Sequence, residues 1–100
     1  PGAATPTEVE LAWSSGGDYV KIFPCSQIGI PYIKEMRAPL RHVKMLASGG
    51  VNIESIPEMK AVGIEYFATG MSVVKQELIR QGNFEEMAHL TKLHLEAINK

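Results

Sequence analysis

Lys21 sits between aromatic residues in the run Tyr19-Val20-Lys21-Ile22-Phe23-Pro24. Along a strand, alternation sends Tyr19, Lys21 and Phe23 to one face and Val20 and Ile22 to the other. The aliphatic pair suits a layer of helices, which leaves the lysine among aromatics on the opposite side. Desolvation there disfavours the ammonium, and a neutral lysine amine is a nucleophile for a ketone. The ordinary alternative is a lysine whose ammonium stands in water. A second chemistry is signalled by two glycine-bearing runs, Ser48-Gly49-Gly50-Val51 and Thr69-Gly70-Met71-Ser72. Glycines let backbone N–H groups close on an anion, and the partial positive charge of a following helix N-terminus adds to them, so the pair is a candidate phosphate cradle. Turn chemistry alone accounts for either run taken singly. Their recurrence at two strand ends beside the lysine is what points to a site.

Other reactive residue types are less promising. Cys25 follows Pro24 with no histidine close in sequence, and is read as a wall of the pocket rather than a nucleophile. His89 and His94 are five apart and fall on different faces of a helix, against the spacing that shared metal ligation needs. Glu8 and Glu10 fall on a first helix and Asp18 at the wrong end of its strand, so none is well placed as a general base. Trp13 and Tyr19 are read as core, and Glu85-Glu86 as charges favouring a helix dipole.

These residues must be positioned by alternating elements. Thr5, Pro6 and Glu8 predict an N-cap, a first helical position and a capping-box partner for a helix running to about Ser14. A strand over residues 18–23 ends at Pro24. After a loop with Gly29, residues 32–37 read as a helix that Pro39 cannot continue. His42–Ala47 is a second strand. Ser55 and Glu58 in capping-box spacing open another helix, with Gly63 as its stop. Ile64–Thr69 is a third strand, a helix resumes at Ser72, and Asn83 with Glu86 caps a final amphipathic helix bearing Met87, Leu90, His94, Ala97 and Ile98 on one face. Strands alternating with helices imply an α/β chain of parallel βαβ units, residues 1–100 forming one unit. Three parallel strands leave both sheet edges unpaired. Further chain, a second copy paired edge to edge, or the last helices must cover them.

Composition removes other function classes. The 100 residues carry 10 Lys+Arg against 11 Asp+Glu, a net charge of −1 that lacks the basic excess of nucleic-acid binding. At 45% hydrophobic the chain has no apolar run approaching the roughly 20 residues of a membrane helix, so neither nucleic acid nor membrane is an expected partner. The single cysteine excludes an internal disulfide. The opening Pro1-Gly2-Ala3-Ala4 has no basic or apolar leader region, and a cytoplasmic setting is expected.

In order and spacing, Pro1-Gly2-Ala3-Ala4-Thr5-Pro6-Thr7-Glu8, Val20-Lys21-Ile22-Phe23-Pro24-Cys25 and Ala47-Ser48-Gly49-Gly50-Val51-Asn52 closely resemble the 2-keto-3-deoxy-6-phosphogluconate (KDPG) aldolases, which include the 4-hydroxy-2-oxoglutarate aldolases. The likeness runs from Pro1 to the last helix and covers the C-terminal half of a family whose members fold as (β/α)8 barrels. It implies a class I aldolase without metal or cofactor, acting on a 2-keto acid. By position, Lys21 is the Schiff-base lysine, Phe23 packs on the substrate and Thr5 lines the pocket. Ser48, Gly49 and Gly50 hold the phosphate, helped by the backbone around Gly70 and Met71. The implied reaction cleaves KDPG to pyruvate and glyceraldehyde 3-phosphate. The family's glutamate base and carboxylate-binding arginine lie in the half not represented in this chain. Two further departures are Gly29-Ile30-Pro31, one glycine poorer than the family's loop, and Met71, where Gly or Ser is usual. The competing expectation is a catalytically incomplete half-barrel that self-associates, or is complemented by an N-terminal half, and binds at most a phosphate or oxyanion. An isomerase barrel sharing the phosphate cradle is a third, without the Lys-x-Phe-Pro strand.

Overall fold

The computed structural model describes residues 1–100. The chain opens with a two-residue strand, β1 (Gly2–Ala3), that leads directly into α1 (Pro6–Ser14). The start of α1 is closed as its residues predict. Thr5 Oγ1 accepts from the Glu8 amide at 3.3 Å, while the Glu8 carboxylate accepts from the amides of Ala4 and Thr5 at 3.1 and 3.0 Å. Three orphan donors are satisfied, and Pro6 occupies a position where its missing N–H costs nothing.

There follow β2 (Val20–Ile22), the single turn α2 (Cys25–Ile28), α3 (Ile30–Arg37), β3 (Met45–Ala47), α4 (Ile56–Ala61), β4 (Tyr66–Phe67), α5 (Gln76–Gln81) and α6 (Phe84–Asn99). The strands form one sheet in the order β1-β2-β3-β4, every neighbour parallel. Register sorts the residues into two rows. Ala3, Ile22, Ala47 and Phe67 align across one face, and Gly2, Lys21, Leu46 and Tyr66 across the other. The first row joins a core to which Val9 of α1, Ile33 of α3 and Ile56 of α4 also belong, all three fully buried. The second row faces away from the helices and is open. Lys21 is exposed there, with Tyr19 44% and Phe23 48% exposed beside it.

The alternation read from residues 19–23 is therefore correct, but two expectations built on it need revision. Tyr19 is not core: it stands on the open face with its ring edge-to-face against Tyr66, centroids 4.4 Å apart. Trp13 is only partly buried against the core edge. The structure also adds a fourth strand to the three predicted. Gly2–Ala3 is too short for any alternation to be visible, and it is held as a strand by the partner chain segment: the Lys21 amide donates to Pro1 O and the Phe23 amide to Ala3 O.

Two helix starts differ from the capping signals. The Ser55 amide donates to Asn52 Oδ1 at 2.8 Å and Ser55 Oγ accepts from the Asn52 amide at 3.0 Å, closing a turn. With helical dihedrals of its own, Ser55 does not cap α4. The helix expected from Ser72 begins at Gln76, because the amides of Val73 and Val74 both donate to the Gly70 carbonyl and form a separate turn first. Asn83 does cap α6, accepting from the Glu86 amide at 3.2 Å. No helix is long and apolar enough to cross a membrane.

Candidate active site

Parallel α/β sheets present their ligand sites at the carboxyl ends of the strands. Here a cavity of about 550 Å³ opens at the ends of β3 and β4, lined by Phe23, the Ser48–Asn52 turn and the Ala68–Ser72 segment. Six of the eight site residues expected from sequence meet in it: Phe23, Ser48, Gly49, Gly50, Gly70 and Met71.

The first wall is the glycine turn, held by the first two amides of α2. The Cys25 amide donates to Ser48 O at 2.9 Å and the Ser26 amide to Gly49 O at 3.0 Å. With the Ser48 and Gly49 carbonyls drawn toward α2, Gly49 and Gly50 take φ of +87° and +74°, a left-handed conformation that glycine adopts without strain. Space imposes the same choice. A Cβ on Gly49 would lie 3.0 Å from Pro24 Cα, and one on Gly50 only 2.5 Å from Ser26 Cβ. The amides of Gly49, Gly50, Gly70, Met71 and Ser72 make no hydrogen bond within the chain. They are the free donors that an anion requires at this place. Ser72 ties the second wall to the first, donating from Oγ to Val51 O at 2.9 Å.

Lys21 does not line the cavity. It stands one residue row below, on the open face of β2, with Nζ 5.0 Å from the centroid of the Phe23 ring that does line it. A cationic amine over a ring face is attracted by its quadrupole. The aromatic neighbours expected from sequence are present, whereas burial is not, since nothing packs over this face of the sheet. Gly2 lies beside the lysine across the strands, close enough that a Cβ there would be in van der Waals contact with Lys21 Cε at 3.4 Å. The Tyr66 phenol on the same face is pushed above its usual range, chiefly through the adjoining Tyr19 hydroxyl and then by partial burial.

Thr5 lies outside the cavity, its hydroxyl committed to Glu8 as the cap of α1. Cys25 is not a wall of it either. The thiol is 1% exposed within the core and donates to Ile22 O at 3.1 Å, and burial pushes its pKa up. No carboxylate lines the cavity. Glu8 is occupied by the cap of α1, and Glu10 pairs with His42 Nε2 at 2.9 Å on the outer surface. The residue missed by sequence reasoning is His94, buried on α6 and in contact with Ser72 Oγ at 3.0 Å. A partner 22 positions away leaves no local signal; the hint was a histidine on the inward stripe of an amphipathic helix.

Four parallel strands in one sheet, with helices flanking it and a glycine-lined cavity at the carboxyl ends of the strands, define an α/β chain of the parallel βαβ class. Comparison with known proteins is more specific. Residues 1–90 match the family model described as KDPG and KHG aldolase, and the chain belongs to that family. It is 30% identical over 99 residues to the 2-dehydro-3-deoxy-6-phosphogalactonate aldolase of Escherichia coli, covering 98% of this chain and 48% of that protein. It is 27% identical over 93 residues to the 2-dehydro-3-deoxy-phosphogluconate aldolase of Haemophilus influenzae, covering 92% of this chain and 44% of the relative. Among solved structures it resembles the native KDPGal structure with a TM-score of 0.79 at 30% identity, over the whole of this chain and 49% of that one. A designed cube-shaped cage made by fusing symmetric oligomeric domains matches with a TM-score of 0.75 at 32% identity, over 97% of this chain and 36% of that one. The chain thus spans about half the length of the curated relatives it matches. Its four parallel strands and flanking helices are about half of a TIM (β/α)8 barrel, the architecture of the KDPGal neighbour.

Proposed function

We propose that the chain carries the imine-forming lysine and the phosphate cradle of a class I aldolase for phosphorylated 2-keto-3-deoxy sugar acids, with Lys21 as the nucleophile. The observation that carries this reading is the adjacency, through the Phe23 ring, of the Lys21 amine and a cavity walled by unpaired backbone amides. The phosphate of the substrate lies among the amides of Gly49, Gly50, Gly70 and Met71, with Ser48 beside them. This sets the keto end over Phe23 toward Lys21. The neutral amine adds to the C2 carbonyl, water departs, and the protonated imine draws in the electron pair of the C3–C4 bond as it breaks. With KDPG the products are glyceraldehyde 3-phosphate and, after protonation and hydrolysis of the enamine, pyruvate. The Haemophilus relative's name supports the gluconate substrate and the E. coli relative's the galactonate epimer. The cradle serves either, because both carry the same terminal phosphate.

The cleavage step also needs a base for the C4 hydroxyl, and the cavity holds no carboxylate. On this reading the base arrives with strands that close over the open face, from the other half of the barrel or from a second copy of this chain. The exposed row of Tyr19, Lys21 and Phe23 supports such a partner, as does the similarity to a cage built of oligomeric domains. The same exposure of Lys21 favours a second reading, in which the chain alone is a half-barrel that binds phosphate or another oxyanion without turnover.

Trapping separates the two. The chain is incubated with pyruvate and borohydride and weighed, beside the full-length E. coli relative as a positive control. A reduced pyruvate adduct that maps to Lys21 and is missing from Lys21→Ala is the expected result. An unmodified mass under conditions that label the relative overturns the aldolase reading for this chain and leaves the oxyanion-binding one.

A further inference from the structure

His94 is the one buried polar residue of the chain, 3% exposed on the inner face of α6. Burial of an imidazole is costly unless both ring nitrogens are satisfied, and an apolar residue would fill the space without that requirement. Its Nδ1 lies 2.6 Å from the Leu90 carbonyl, which can only accept, so Nδ1 carries a proton and donates. That bond turns Nε2 outward from the helix to within 3.0 Å of Ser72 Oγ. Ser72 Oγ is in turn bonded to the Val51 carbonyl at 2.9 Å. Ser72 and Val51 belong to opposite walls of the cavity, one following β4 and the other following β3. The line Leu90, His94, Ser72, Val51 therefore runs from the body of α6 into the cavity, and its last link joins the two glycine turns.

Every buried side-chain nitrogen and oxygen in the chain has a hydrogen-bonding neighbour, and a buried polar network of this kind restricts the geometry of the groups it joins. Ser72 Oγ lies within hydrogen-bond distance of both Nε2 and the Val51 carbonyl, so the position of the ring is coupled directly to the link between the walls. Ser72 is flanked by Met71, whose amide is free, and by Val73, which is 8% exposed and anchors the turn in the interior.

We infer that His94 is a positioning residue for the anion cradle: acting through Ser72, it holds the Gly49-Gly50-Val51 and Gly70-Met71-Ser72 turns at the separation that lets their amides converge on one phosphate. This rests on the cradle reading proposed above. It assigns α6, which contributes nothing to the cavity lining, a share in phosphate affinity.

The test is titration of the chain with inorganic phosphate, followed by calorimetry and by ¹⁵N NMR of the His94 ring. Loss of one link in a buried network predicts about tenfold weaker phosphate binding for His94→Ala and for Ser72→Ala. The double variant is expected to be no weaker than either single one, because both act on one link. His94→Gln, whose terminal amide reaches the place of Nε2 and offers both a donor and an acceptor there, restores most of the affinity, which general loosening of α6 would not allow. Phosphate shifts the His94 Nε2 resonance in the unaltered chain and fails to do so in Ser72→Ala. If His94→Ala unfolds, Ser72→Ala, with the ring intact, and His94→Gln still decide the matter. Phosphate binding by all variants as tight as by the unaltered chain overturns the role of His94 and leaves the cradle standing. Absence of phosphate binding by the unaltered chain overturns the cradle reading itself, and this inference with it.

Discussion

Gly50→Ala isolates what holds the cradle open. Two separate costs act at this position. The backbone has φ of +74°, and an L-residue in the left-handed region pays about 1–2 kcal/mol. The new methyl would also lie 2.5 Å from Ser26 Cβ and 2.9 Å from its Oγ, and forcing an extra carbon into filled space costs a further ~1–3 kcal/mol. The expected loss is about 2–5 kcal/mol, a large share of the stability of a domain of this size. Two other glycines separate the contributions. Gly16, at φ of +103° with nothing within 4 Å of a built Cβ, should pay only the backbone cost on substitution by alanine. Gly70, with open space and no positive φ, should pay neither. Urea unfolding of the three variants should rank them Gly70, Gly16, Gly50 in order of increasing loss. Adding Ser26→Gly to Gly50→Ala, with Ser26→Gly alone as reference, should return the steric part and bring the variant level with Gly16→Ala. Equal stability of Gly50→Ala and Gly16→Ala without the second change would refute the argument that α2 packs against the glycine turn and dictates its residue.

Three further outcomes follow from groups already described. The Glu8 carboxylate is held below the usual carboxylate range first by the Ala4 amide, then by the Thr5 side chain and amide, so its contribution to stability is present above the unfolded glutamate pKa and is lost as pH falls through the depressed folded value; Glu8→Gln should lower stability at neutral pH, change it little in acid, and so flatten the acid limb of a pH–stability curve. Cys25, buried with its pKa raised by desolvation, should react with iodoacetamide only as fast as the chain opens, so that alkylation in the native state is at least about 100-fold slower than in urea; fast native labelling would show that α2 does not seal the thiol. Sedimentation of the purified chain should show association that rises with concentration, and Tyr19→Asp on the open face should weaken it at least about tenfold; a monomer at all concentrations would remove a second copy as the cover of that face.

Local signals carried much of this structure. Thr5, Pro6 and Glu8 make a capping box that is complete within four residues, and it forms as read. Pro24, Pro31 and Asn83 mark boundaries by constraints that act on their own residue or on the next turn, and those boundaries hold within a few positions. Alternation separated Val20 and Ile22 from Lys21 correctly. Features decided by distant partners were not legible. Gly2–Ala3 becomes a strand only because residues 21 and 23 bond to it, and Ser55 forgoes its cap because Asn52 offers a competing turn. Cys25 looked like part of the pocket because it follows Pro24 in sequence, yet the first turn of α2 rotates it into the core. The motif at Ser48-Gly49-Gly50 and the one at Gly70-Met71 were each visible, but their convergence on one cavity depends on β3 and β4 lying side by side.

That distinction bears on how the proposed activity divides within a barrel. The cradle is built at consecutive strand ends: the turns that follow β3 and β4 supply every wall of it except the Phe23 ring just after β2, and α2 backs the first of those turns through its amides. Neighbouring parallel strands are enough to make it, and four of them are present. The reactivity of Lys21 has a different requirement. Its neighbours along and across the strand, Phe23, Gly2 and Leu46, are all here, and they leave the amine in water. Desolvation of an amine on the inner face of a sheet comes from residues facing it across the barrel, which sequence-adjacent strands cannot provide. On the proposed reading, phosphate binding is therefore a property of this half of the fold, while imine formation, which Lys21 carries out in this chain alone, gains speed from what closes over the open face. Trapping at Lys21 should accordingly accelerate when that face is covered, whereas phosphate affinity should change little, and the reverse pattern would place the cradle, not the lysine, under the control of the second half.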